Sequence, residues 1–324
     1  MRNFIAAVIY YLVMILLLPV FLLGYVIWIG SMFARRKSSA SATAQAPLFA
    51  RWLEHKQGTR SDEGASRLLP VAPGVPALGW RLVGGSLLLA HRVSGYVPKV
   101  FRYPFEGEIT LQNQGSARQT FYDRVVQQYI PEMAQFVILG AGYDTRALNL
   151  PKDIPVQSFE VDTPATIAGK RETLAKAGID TIGVVLVAAD FEQDDWLAKL
   201  VEAGFNASRT TLFIWEGVTP YLDREAVQDT LRKIASTATG SSVAFDYFTT
   251  EVLASNALMM RSIRASLNAG GEPLKFGLDS TPPLRERVAE LLQSCGLTLV
   301  EQRTLGQETK GKRAWGGFAI ATVK

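Results

Sequence analysis

The sequence has few residues that carry sulfur or imidazole: its 324 residues include one cysteine and two histidines. A single cysteine, Cys295, excludes an intramolecular disulfide and a multi-cysteine metal site. Its place at the end of an amphipathic helical pattern favours a small buried residue over a nucleophile. His55 and His91 both lie far upstream of the glycine-rich and acidic motifs described below. A Ser/His/Asp hydrolase or a histidine-ligated metal enzyme is therefore hard to build, and we expect no metal.

Charge is sparse and nearly balanced. The formal net charge is +4 and the isoelectric point is about 9.1. Apart from an Arg-Arg-Lys cluster at residues 35–37, the basic residues are scattered among acidic ones. A nucleic-acid surface would show a basic stripe interleaved with aromatic residues, which this sequence lacks, so we expect no nucleic-acid partner.

The first part of the chain has no charge at all: residues 4–34 contain no Asp, Glu, Lys or Arg. A helix needs roughly 20 apolar residues to cross the hydrocarbon core of a bilayer, whereas the apolar region of a signal peptide usually has about 7–15. A core helix of a soluble protein would also show a polar face. The run therefore predicts a single-pass membrane anchor at residues 1–37, embedded through residues 4–34. Composition alone leaves open whether the helix crosses the membrane or lies in it.

The charges that flank this run predict its orientation. The cluster at residues 35–37 outweighs Arg2 and the amino terminus on the other side. Because positively charged flanks tend to stay in the cytoplasm, we expect the rest of the chain on the cytoplasmic side of the membrane.

Three segments follow the anchor. Residues 38–48 are rich in Ser, Ala and Thr, which is typical of a flexible linker. Residues 49–115 are expected to form a helical or irregular cap region, with a loop rich in Gly and Pro at residues 58–79. Charge and glycine interrupt the apolar stretch at residues 78–90, so we expect a helix packed on the main domain rather than a second span. Residues 116–324 form that main domain.

In the main domain, short apolar runs alternate with helical patterns. This alternation indicates an α/β protein with an open, doubly wound, Rossmann-like sheet of about seven strands. The last two strands are joined by a polar turn, and such a hairpin places an antiparallel last strand on an otherwise parallel sheet. That arrangement fits class I methyltransferases better than dinucleotide dehydrogenases, and ligands of such sheets bind at the carboxyl ends of the strands. The predicted strands are residues 136–139, 156–161, 184–188, 211–215, 242–248, 297–300 and 317–323.

A glycine-rich turn with the sequence GAGYDTR follows the first predicted strand. Gly140 and Gly142 permit a tight turn and a close approach of the backbone to a ligand, and we expect a helix directly after the turn. A dinucleotide fingerprint would have glycine or alanine in place of Thr145, and Asp144 at the helix start would repel a pyrophosphate. The turn therefore suits a ligand without phosphate, of which S-adenosylmethionine, with its positive sulfonium, is an example.

The second predicted strand ends in FEVD, with carboxylates at Glu160 and Asp162. Residues two apart on a strand point to the same face. An acid at the end of this strand is the usual partner of ribose hydroxyls, because one carboxylate accepts hydrogen bonds from both. We therefore expect both residues at the cofactor, the alternative being a solvated acid at a strand end.

The third and fourth predicted strands also end in candidate ligand-binding side chains. Asp190 is expected to receive the adenine amino group, and Phe191 to pack on the ring. Glu216 would lie beside the methionine part of the ligand, where its carboxylate meets the ammonium group. Tyr221 could face the incoming substrate and is the candidate catalytic residue. For Trp215 and Tyr221, packing is the alternative role.

Together these segments resemble the leucine carboxyl methyltransferase family of S-adenosylmethionine-dependent methyltransferases, from about residue 115 to about residue 248. The matching pieces are GSARQTF at residues 115–121, VILGAGYDTRA at 137–147, FEVD at 159–162 with the later Lys170-Arg171, ADF at 189–191 and WEGVTPYL at 215–222.

The resemblance implies a role for each matching residue. Arg118 would hold the carboxylate of the methionine moiety, a group that a guanidinium binds in bidentate geometry. The segment before about residue 115 departs from the family, which normally has a soluble helical N-terminal part that helps to form the acceptor site. The other implied roles are Gly140 and Gly142 lining the ligand, Asp162 at the ribose, Asp190 and Phe191 at the adenine, and Glu216 at the ammonium.

These observations predict an S-adenosylmethionine-dependent methyltransferase that methylates a carboxyl or hydroxyl oxygen of a small or membrane-associated acceptor. Methyl transfer is an in-line displacement, for which positioning and exclusion of water suffice. A carboxylate acceptor needs no general base, so carboxyl methylation fits slightly better. Two alternatives stay open: a nicotinamide-dependent Rossmann oxidoreductase, and a non-catalytic membrane-bound scaffold that keeps the pocket.

Overall fold

A computed structural model describes residues 2–34, 44–73, 76–151, 153–309 and 311–324. The basic cluster at residues 35–37 and the first part of the predicted linker, residues 38–43, lie outside the described residues.

In the part of the chain that the structure describes, five α-helices precede the sheet, in the predicted anchor, in the cap region and at the entry into the main domain. The second of them begins within the predicted linker, so the end of that segment is helical. The predicted loop at residues 58–79 also contains a helix, which has six residues and is too short to show a periodic apolar pattern. The five are α1 (Arg2–Ala34), α2 (Gln45–Gln57), α3 (Glu63–Leu68), α4 (Ala77–Ser94) and α5 (Gln114–Tyr129).

A seven-stranded sheet forms the main domain, with the order β3-β2-β1-β4-β5-β7-β6. The first five strands are parallel, and β7 runs antiparallel to both β5 and β6. The predicted doubly wound sheet with an antiparallel last strand is therefore confirmed. The strands are β1 (Gln135–Leu139), β2 (Gln157–Asp162), β3 (Val184–Ala188), β4 (Thr211–Trp215), β5 (Ser242–Phe248), β6 (Leu297–Leu305) and β7 (Gly316–Val323).

Six α-helices lie among the strands within the described ranges 153–309 and 311–324. The first begins as its sequence predicts, because the Thr163 hydroxyl accepts from the Thr166 N–H and Pro164 occupies the first helical position. The predicted helix at residues 252–267 is divided in two, with extended backbone at Ser255 between the parts. The six are α6 (Pro164–Lys176), α7 (Trp196–Glu202), α8 (Arg224–Ala235), α9 (Thr250–Ala254), α10 (Leu258–Gly270) and α11 (Leu284–Ser294).

The α-helix expected directly after the glycine turn is not present, and this prediction was wrong. A single 3-10 turn, Ala147–Asn149, takes its place, and Leu150 is already extended. Pro151 is the physical reason, because proline disfavours the helical conformation of the residue before it and has no N–H to continue a helix.

Both faces of the sheet are buried, as its continuous apolar strands predict. On β1, Val137 and Leu139 pack into the face covered by α7, α8 and α11, while Phe136 and Ile138 pack into the face covered by α5. A third cluster joins α2, α3 and α4 to the main domain through Tyr143. The cap region is therefore part of the same body as the sheet.

Helix α1 contains the stretch Arg2–Trp28, which is long and apolar enough to cross a membrane, and no other helix among the described residues meets that test. The apolar stretch at residues 78–90 forms α4, which packs along α1 and also on the cap cluster. Helix α4 thus lies between α1 and the body of the protein.

Packing of the parallel sheet sets the stability of the main domain. Phe213 on β4 is fully buried between the aromatic rings of Phe205 and Trp196. We expect Phe213→Ala to lower the free energy of unfolding by about 3–5 kcal/mol, because it removes a large side chain and leaves a cavity. Ile182→Ala, at a position 88% exposed, is the control and should change it by less than about 0.5 kcal/mol. Urea unfolding of the full chain in detergent measures both, and equal effects would contradict this account of the core.

Candidate active site

The loops after β1 and β4 meet at the carboxyl edge of the sheet. Gly140 has a φ of 71°, and a Cβ built there would lie 2.1 Å from Cγ2 of Val218 in the loop after β4. Gly217 also has a positive φ, 70°, and its Cβ would lie 3.1 Å from Nη1 of Arg118. A side chain at Gly140 would clash with the facing loop, and both positions have the positive φ that favours glycine, so the close approach of the two loops depends on glycine at Gly140.

Asp162, at the end of β2, holds the glycine turn. Its Oδ2 accepts a hydrogen bond from the Gly142 N–H at 2.8 Å, and its Oδ1 accepts from the Thr163 N–H at 2.7 Å. Burial raises the pKa of the Asp162 carboxyl, while the two backbone N–H groups oppose that shift. The side chain is half-buried and lies beside the two glycines, so these three predicted residues are brought together.

The end of β3 places a partly exposed acid next to a buried ring. Asp190 Oδ1 accepts from the Glu192 N–H at 2.9 Å. Phe191 is 7% exposed and packs between the rings of Trp196 and Trp215, with centroids 6.1 and 6.5 Å away. Most of the Phe191 ring therefore belongs to the core, and only an edge of it is open to a ligand.

Glu216, at the end of β4, is held by three arginines from three separate elements. Its Oε2 lies 2.5 Å from Arg146 Nη1 and 3.6 Å from Arg51 Nη2, and its Oε1 lies 3.2 Å from Arg118 Nε. Of the three arginines Arg118 is the most accessible, with 26% of its side chain exposed. Arg118 and Glu216 are thus adjacent, as their expected roles at the two ends of one amino acid require.

The acid in the glycine turn has a different role from the one its sequence position suggests. Asp144 is buried and paired with Arg51 at 3.0 Å and with Arg146 at 2.5 Å. Burial opposes ionisation, but these two guanidinium groups hold the pKa of Asp144 far below its usual range. The charge of Asp144 is balanced by two arginines within the protein, and no α-helix starts after the turn. The expectation that Asp144 lies at a helix start, where it would repel a pyrophosphate, was therefore wrong.

The network extends outward from Arg146 through the cap region. Arg146 Nε donates to Asp123 Oδ1 at 2.7 Å, and Arg60 Nε donates to Asp123 Oδ2 at 2.7 Å. Arg60 also pairs with Asp62, whose carboxylate accepts from the Thr145 hydroxyl and from the Ala65 N–H at the start of α3. The cap helices are therefore tied to the glycine turn by buried charge.

Glu160 lies away from the open part of this edge. It is fully buried, and its carboxylate pairs with Lys170, which is itself 1% exposed and donates to the Asp144 carbonyl at 2.8 Å. Burial raises the pKa of Glu160, and Lys170 opposes the shift. The pair supports the glycine turn from within, so the structure does not bring Glu160 to the surface where Asp162 lies.

The sequence interpretation gave no role to several residues of this network, among them Arg51, Tyr122, Arg146 and Asp246. Asp246 Oδ1 accepts from the Gly217 N–H at 2.6 Å and from the Tyr122 hydroxyl at 3.0 Å, and burial raises its pKa. A lone carboxylate in the otherwise apolar strand SVAFDYF was the available signal for Asp246. Arg51 carries no such signal, because it lies in the cap, far from the strands in sequence.

Tyr221 ends the 3-10 turn Thr219–Tyr221 after β4 and is half-buried. Burial lowers the pKa of the Arg118 guanidinium, but nearby groups raise it overall. Glu216 and Asp246 have the largest raising effects, and the Tyr221 phenol is close enough to Arg118 to add to them. Among the described residues, no group of three or more His, Cys, Asp or Glu side chains is arranged to hold a metal ion.

The fold and the site have the features expected of a class I methyltransferase. These are a doubly wound sheet with an antiparallel last strand, a glycine turn after β1 and carboxylates at the ends of β2 and β4. The Leucine carboxyl methyltransferase family matches residues 106–235. A relative from Saccharopolyspora erythraea, whose name assigns it provisionally to the S-adenosyl-L-methionine-dependent methyltransferases, is 30% identical over 252 residues, which are 76% of this chain and 80% of the relative. The chain belongs to this family, and the cofactor expected from the sequence is that of the family.

Other relatives match over shorter segments. One from Mycolicibacterium paratuberculosis, with the same provisional name, is 36% identical over 186 residues, 56% of this chain and 60% of the relative. A second, from Mycolicibacterium smegmatis, is 34% identical and is covered over 52% of its length. The chain thus spans between half and two thirds of these relatives. A solved DUF574 family protein from Streptomyces avermitilis is 16% identical with a TM-score of 0.48, covering 90% of this chain and 100% of that one, a likeness too weak to carry a functional argument.

Glu54 on α2 should make the free energy of unfolding depend on pH. Burial raises the pKa of Glu54 to about 8 from its usual 4.5. Between these two pH values the unfolded chain releases a proton that the folded protein keeps, so the free energy of unfolding falls as pH rises. Glu54→Gln mimics the protonated acid and should remove this loss, a gain that is small near pH 4.5 and reaches roughly 4 kcal/mol at pH 8.

Unfolding midpoints measured across this pH range test the prediction. Glu106→Gln, at an exposed loop position, is the matched control and should leave the pH profile unchanged. A Glu54→Gln variant whose stability follows the wild-type profile at every pH would show that the carboxyl ionises freely in the folded protein.

Proposed function

We propose that the protein is an S-adenosylmethionine-dependent methyltransferase that methylates a carboxyl or hydroxyl oxygen of a membrane-associated acceptor. The single observation that carries the proposal is the arrangement of Arg118, Glu216 and Asp162 around the glycine turn at the carboxyl edge of the sheet. Family membership supports the cofactor, and the acceptor is inferred from the chemistry of the site and from helix α1.

The residues present fit this cofactor. Arg118 would bind the carboxylate of its amino-acid part and Glu216 the ammonium, while Asp162 would accept from the ribose hydroxyls. Arg118 is the accessible arginine of the site, with 26% of its side chain exposed, so it can meet a bound anion. Gly140 and Gly142 give the close backbone approach, and Asp190 with the edge of Phe191 would meet the adenine.

The charge of the site also suits a cationic ligand. The buried network contains four arginine side chains and five carboxylates. The amino-acid part of S-adenosylmethionine is zwitterionic, and its sulfonium adds one positive charge. A net positive ligand is favoured where the fixed charges are negative and solvent is excluded. The members are Arg51, Arg60, Arg118 and Arg146 with Asp62, Asp123, Asp144, Glu216 and Asp246.

The bound cofactor supplies an electrophilic methyl group, and the chain supplies position. The network around Arg146 fixes Glu216, which in turn fixes one end of the ligand, so the reacting centre is held relative to the sheet. Tyr221 is placed after β4 near Arg118, where its phenol could orient the acceptor oxygen. A carboxylate acceptor attacks without loss of a proton, whereas a hydroxyl acceptor would need a base, and Tyr221 and the carboxylates of the site are the candidates for that role.

Helix α1 supports a membrane location with the main domain on the cytoplasmic side, where S-adenosylmethionine is made. The sequence favours a single-pass anchor, and α1 is long and apolar enough to enter a membrane. How α1 meets the bilayer then depends on its contacts with α4. An enzyme held at a membrane has preferred access to acceptors that partition there, and this is the reason to propose a lipophilic acceptor.

The two alternative functions are less well supported. A dinucleotide-dependent oxidoreductase needs the amino terminus of a helix after the glycine turn to bind its pyrophosphate, and here the short 3-10 turn Ala147–Asn149 occupies that position. A non-catalytic scaffold that keeps the pocket is compatible with the same geometry, and the measurements below separate it from an enzyme.

Cofactor binding tests the first part of the proposal. We expect Asp162→Asn and Arg118→Gln each to weaken binding of radiolabelled S-adenosylmethionine to the full chain in detergent by about 10- to 100-fold, because each removes a charged hydrogen-bonding partner. Asp180→Asn and Arg209→Gln, both at exposed positions, are the controls and should bind as the wild type does. Binding of NAD in preference to S-adenosylmethionine would favour the oxidoreductase.

Transfer to a membrane component tests the second part. Membranes with and without the protein are incubated with methyl-labelled S-adenosylmethionine, and we expect new label in the organic extract, because a lipophilic acceptor partitions there. Release of labelled methanol by mild base would identify a methyl ester, and base-stable label an ether. Membranes carrying Arg118→Gln are the control.

Label confined to water-soluble products would contradict a membrane-associated acceptor. If cofactor binding is normal and no acceptor is labelled in any fraction, the scaffold alternative is the better account.

A further inference from the structure

One face of α1 is covered by protein along most of the helix. The least exposed positions recur at alternating spacings of three and four residues, the pattern of a helix packed lengthwise against another. Helix α4 lies against this face. The covered positions are Tyr10, Met14, Leu17, Phe21, Gly24 and Trp28.

Contacts at both ends show that α1 and α4 run antiparallel and stay close throughout. At one end the Tyr10 ring lies 5.6 Å from the ring of Tyr96, just beyond the C-terminus of α4. At the other, a Cβ on Gly24 would lie 2.6 Å from Cβ of Leu82, and a Cβ on Gly79 would lie 3.1 Å from the Gly24 carbonyl oxygen. Facing glycines let the two backbones approach closely, as small residues do at helix crossings in membranes.

Helix α4 is in turn fixed to the body of the protein. Its Trp80 ring packs edge-on against Trp52 of α2 at 5.1 Å, and a Cβ on Gly84 would lie 2.6 Å from the same Trp52 ring. These residues belong to the cluster that includes Tyr143 in the glycine turn. The α4 helix therefore cannot leave the main domain without opening a core.

Lengths then decide how α1 can meet a bilayer. The segment from Tyr10 to Trp28 that α4 covers is about 27 Å long, close to the roughly 30 Å of a hydrocarbon core. The part of α1 between Arg2 and Tyr10 extends about 12 Å beyond α4, less than half of a hydrocarbon core. A full crossing by α1 would draw α4 and its charged Arg81 and Arg92 into the hydrocarbon, or would break the α1–α4 contact.

We propose that α1 lies along one leaflet of the membrane rather than across it, with α4 beneath it, and that the occupant of its exposed face is a lipid bilayer. The outward face of α1 is large and apolar and continues onto α4 at Leu78, Leu89 and Val93. Alone, α1 has no polar side, but the α1–α4 pair has an apolar outer face and a protein-covered inner face, as an interfacial element requires.

The charge at the edge of this face fits an anionic headgroup layer. Helix α10 contacts α1, and α1, α4 and α10 together contain no Asp or Glu in a chain that has 30. Their basic side chains include Arg81 and Arg92 on the exposed side of α4 and Arg261 on α10. Long basic side chains at such an edge extend to the lipid phosphates.

This placement puts the candidate active site next to the membrane. The chain that follows α10 returns to the loop after β4, where the N–H groups of Lys275 and Phe276 donate to the Pro220 carbonyl at 2.7 and 3.2 Å. Pro220 precedes Tyr221. The membrane-facing helices and the proposed acceptor side of the site are thus joined by one short segment.

The topology of the amino terminus tests the proposal on the full chain in native membranes. In a Cys295→Ser background, single cysteines are introduced by Asn3→Cys at the start of α1 and by Asp180→Cys in the main domain, both exposed positions. We expect a membrane-impermeant maleimide to label both from the same side of sealed vesicles. Labelling from opposite sides would mean that α1 crosses the bilayer and would overturn the proposal.

A second measurement asks whether α4 stays on α1 in the membrane. The rings of Tyr11 and Tyr96 lie 6.2 Å apart, so Tyr11→Cys with Tyr96→Cys should be joined by a short bis-maleimide. Leu22→Cys with Tyr96→Cys is the matched control, since Leu22 lies about 16 Å further along α1. Cross-linking of the control pair alone, or of neither pair, would contradict the α1–α4 contact.

A variant at the crossing gives an independent check. Gly24→Leu would force the helices apart and should reduce the Tyr11–Tyr96 cross-link, whereas Gly30→Leu, with no heavy atom of the described residues within 4 Å of its Cβ, should not. The in-plane placement of α1 rests on the proposed attachment of α1 to the membrane, and the experiments distinguish these two claims. If the chain does not sediment with membranes, the attachment itself is contradicted. If the chain sediments with membranes but Asn3→Cys is labelled from the far side, only the in-plane placement is contradicted.

Discussion

The buried ion network centred on Arg146 is the constraint on which the rest of the site depends. One guanidinium contacts Asp123 on α5, Asp144 in the glycine turn and Glu216 after β4, so it links three parts of the chain that are distant in sequence. Burying such charges is costly, and removing one partner of a buried pair typically costs about 3–5 kcal/mol because the other is left uncompensated. The network therefore specifies one relative position of helix, turn and strand end.

The same network prepares the site electrostatically. Arg51 and Arg146 keep Asp144 ionised inside the protein, and burial instead raises the pKa of Asp246, which bonds the Gly217 N–H and the Tyr122 hydroxyl. The groups left accessible at the edge are Arg118 and the carboxylate of Asp162, beside the two glycines. A ligand thus meets a surface whose dipoles and charges are already oriented, which reduces the reorganisation that binding must pay for.

The sequence was sufficient for the sheet and for the positions of the candidate residues at its strand ends, because both follow from local patterns. Thr163-Pro164 fixed the start of α6, and the apolar runs fixed β3, β4 and β5 to the residue. The sequence was insufficient where contacts between residues distant in sequence determine the structure. Nothing in the local sequence links Arg51 with Asp144, residues 93 apart, and Asp144 reads as a free acid until its two partners are known. The glycine turn likewise suggested a helix that Pro151 prevents.

Helix α2 connects the two halves of the proposed function. Phe49 packs against Trp28 of α1 with ring centroids 4.8 Å apart, and Arg51, two residues later, pairs with Asp144 in the glycine turn. On a helix, residues two apart point to different sides, so α2 faces the membrane helix with one side and the ion network with the other. A displacement of α1 relative to the sheet would have to move Phe49 or lose its contact, and either change acts on the element that carries Arg51. The proposed placement of α1 on the membrane and the order of the candidate active site would therefore be coupled through a single helix, which lies outside the residues that match the family.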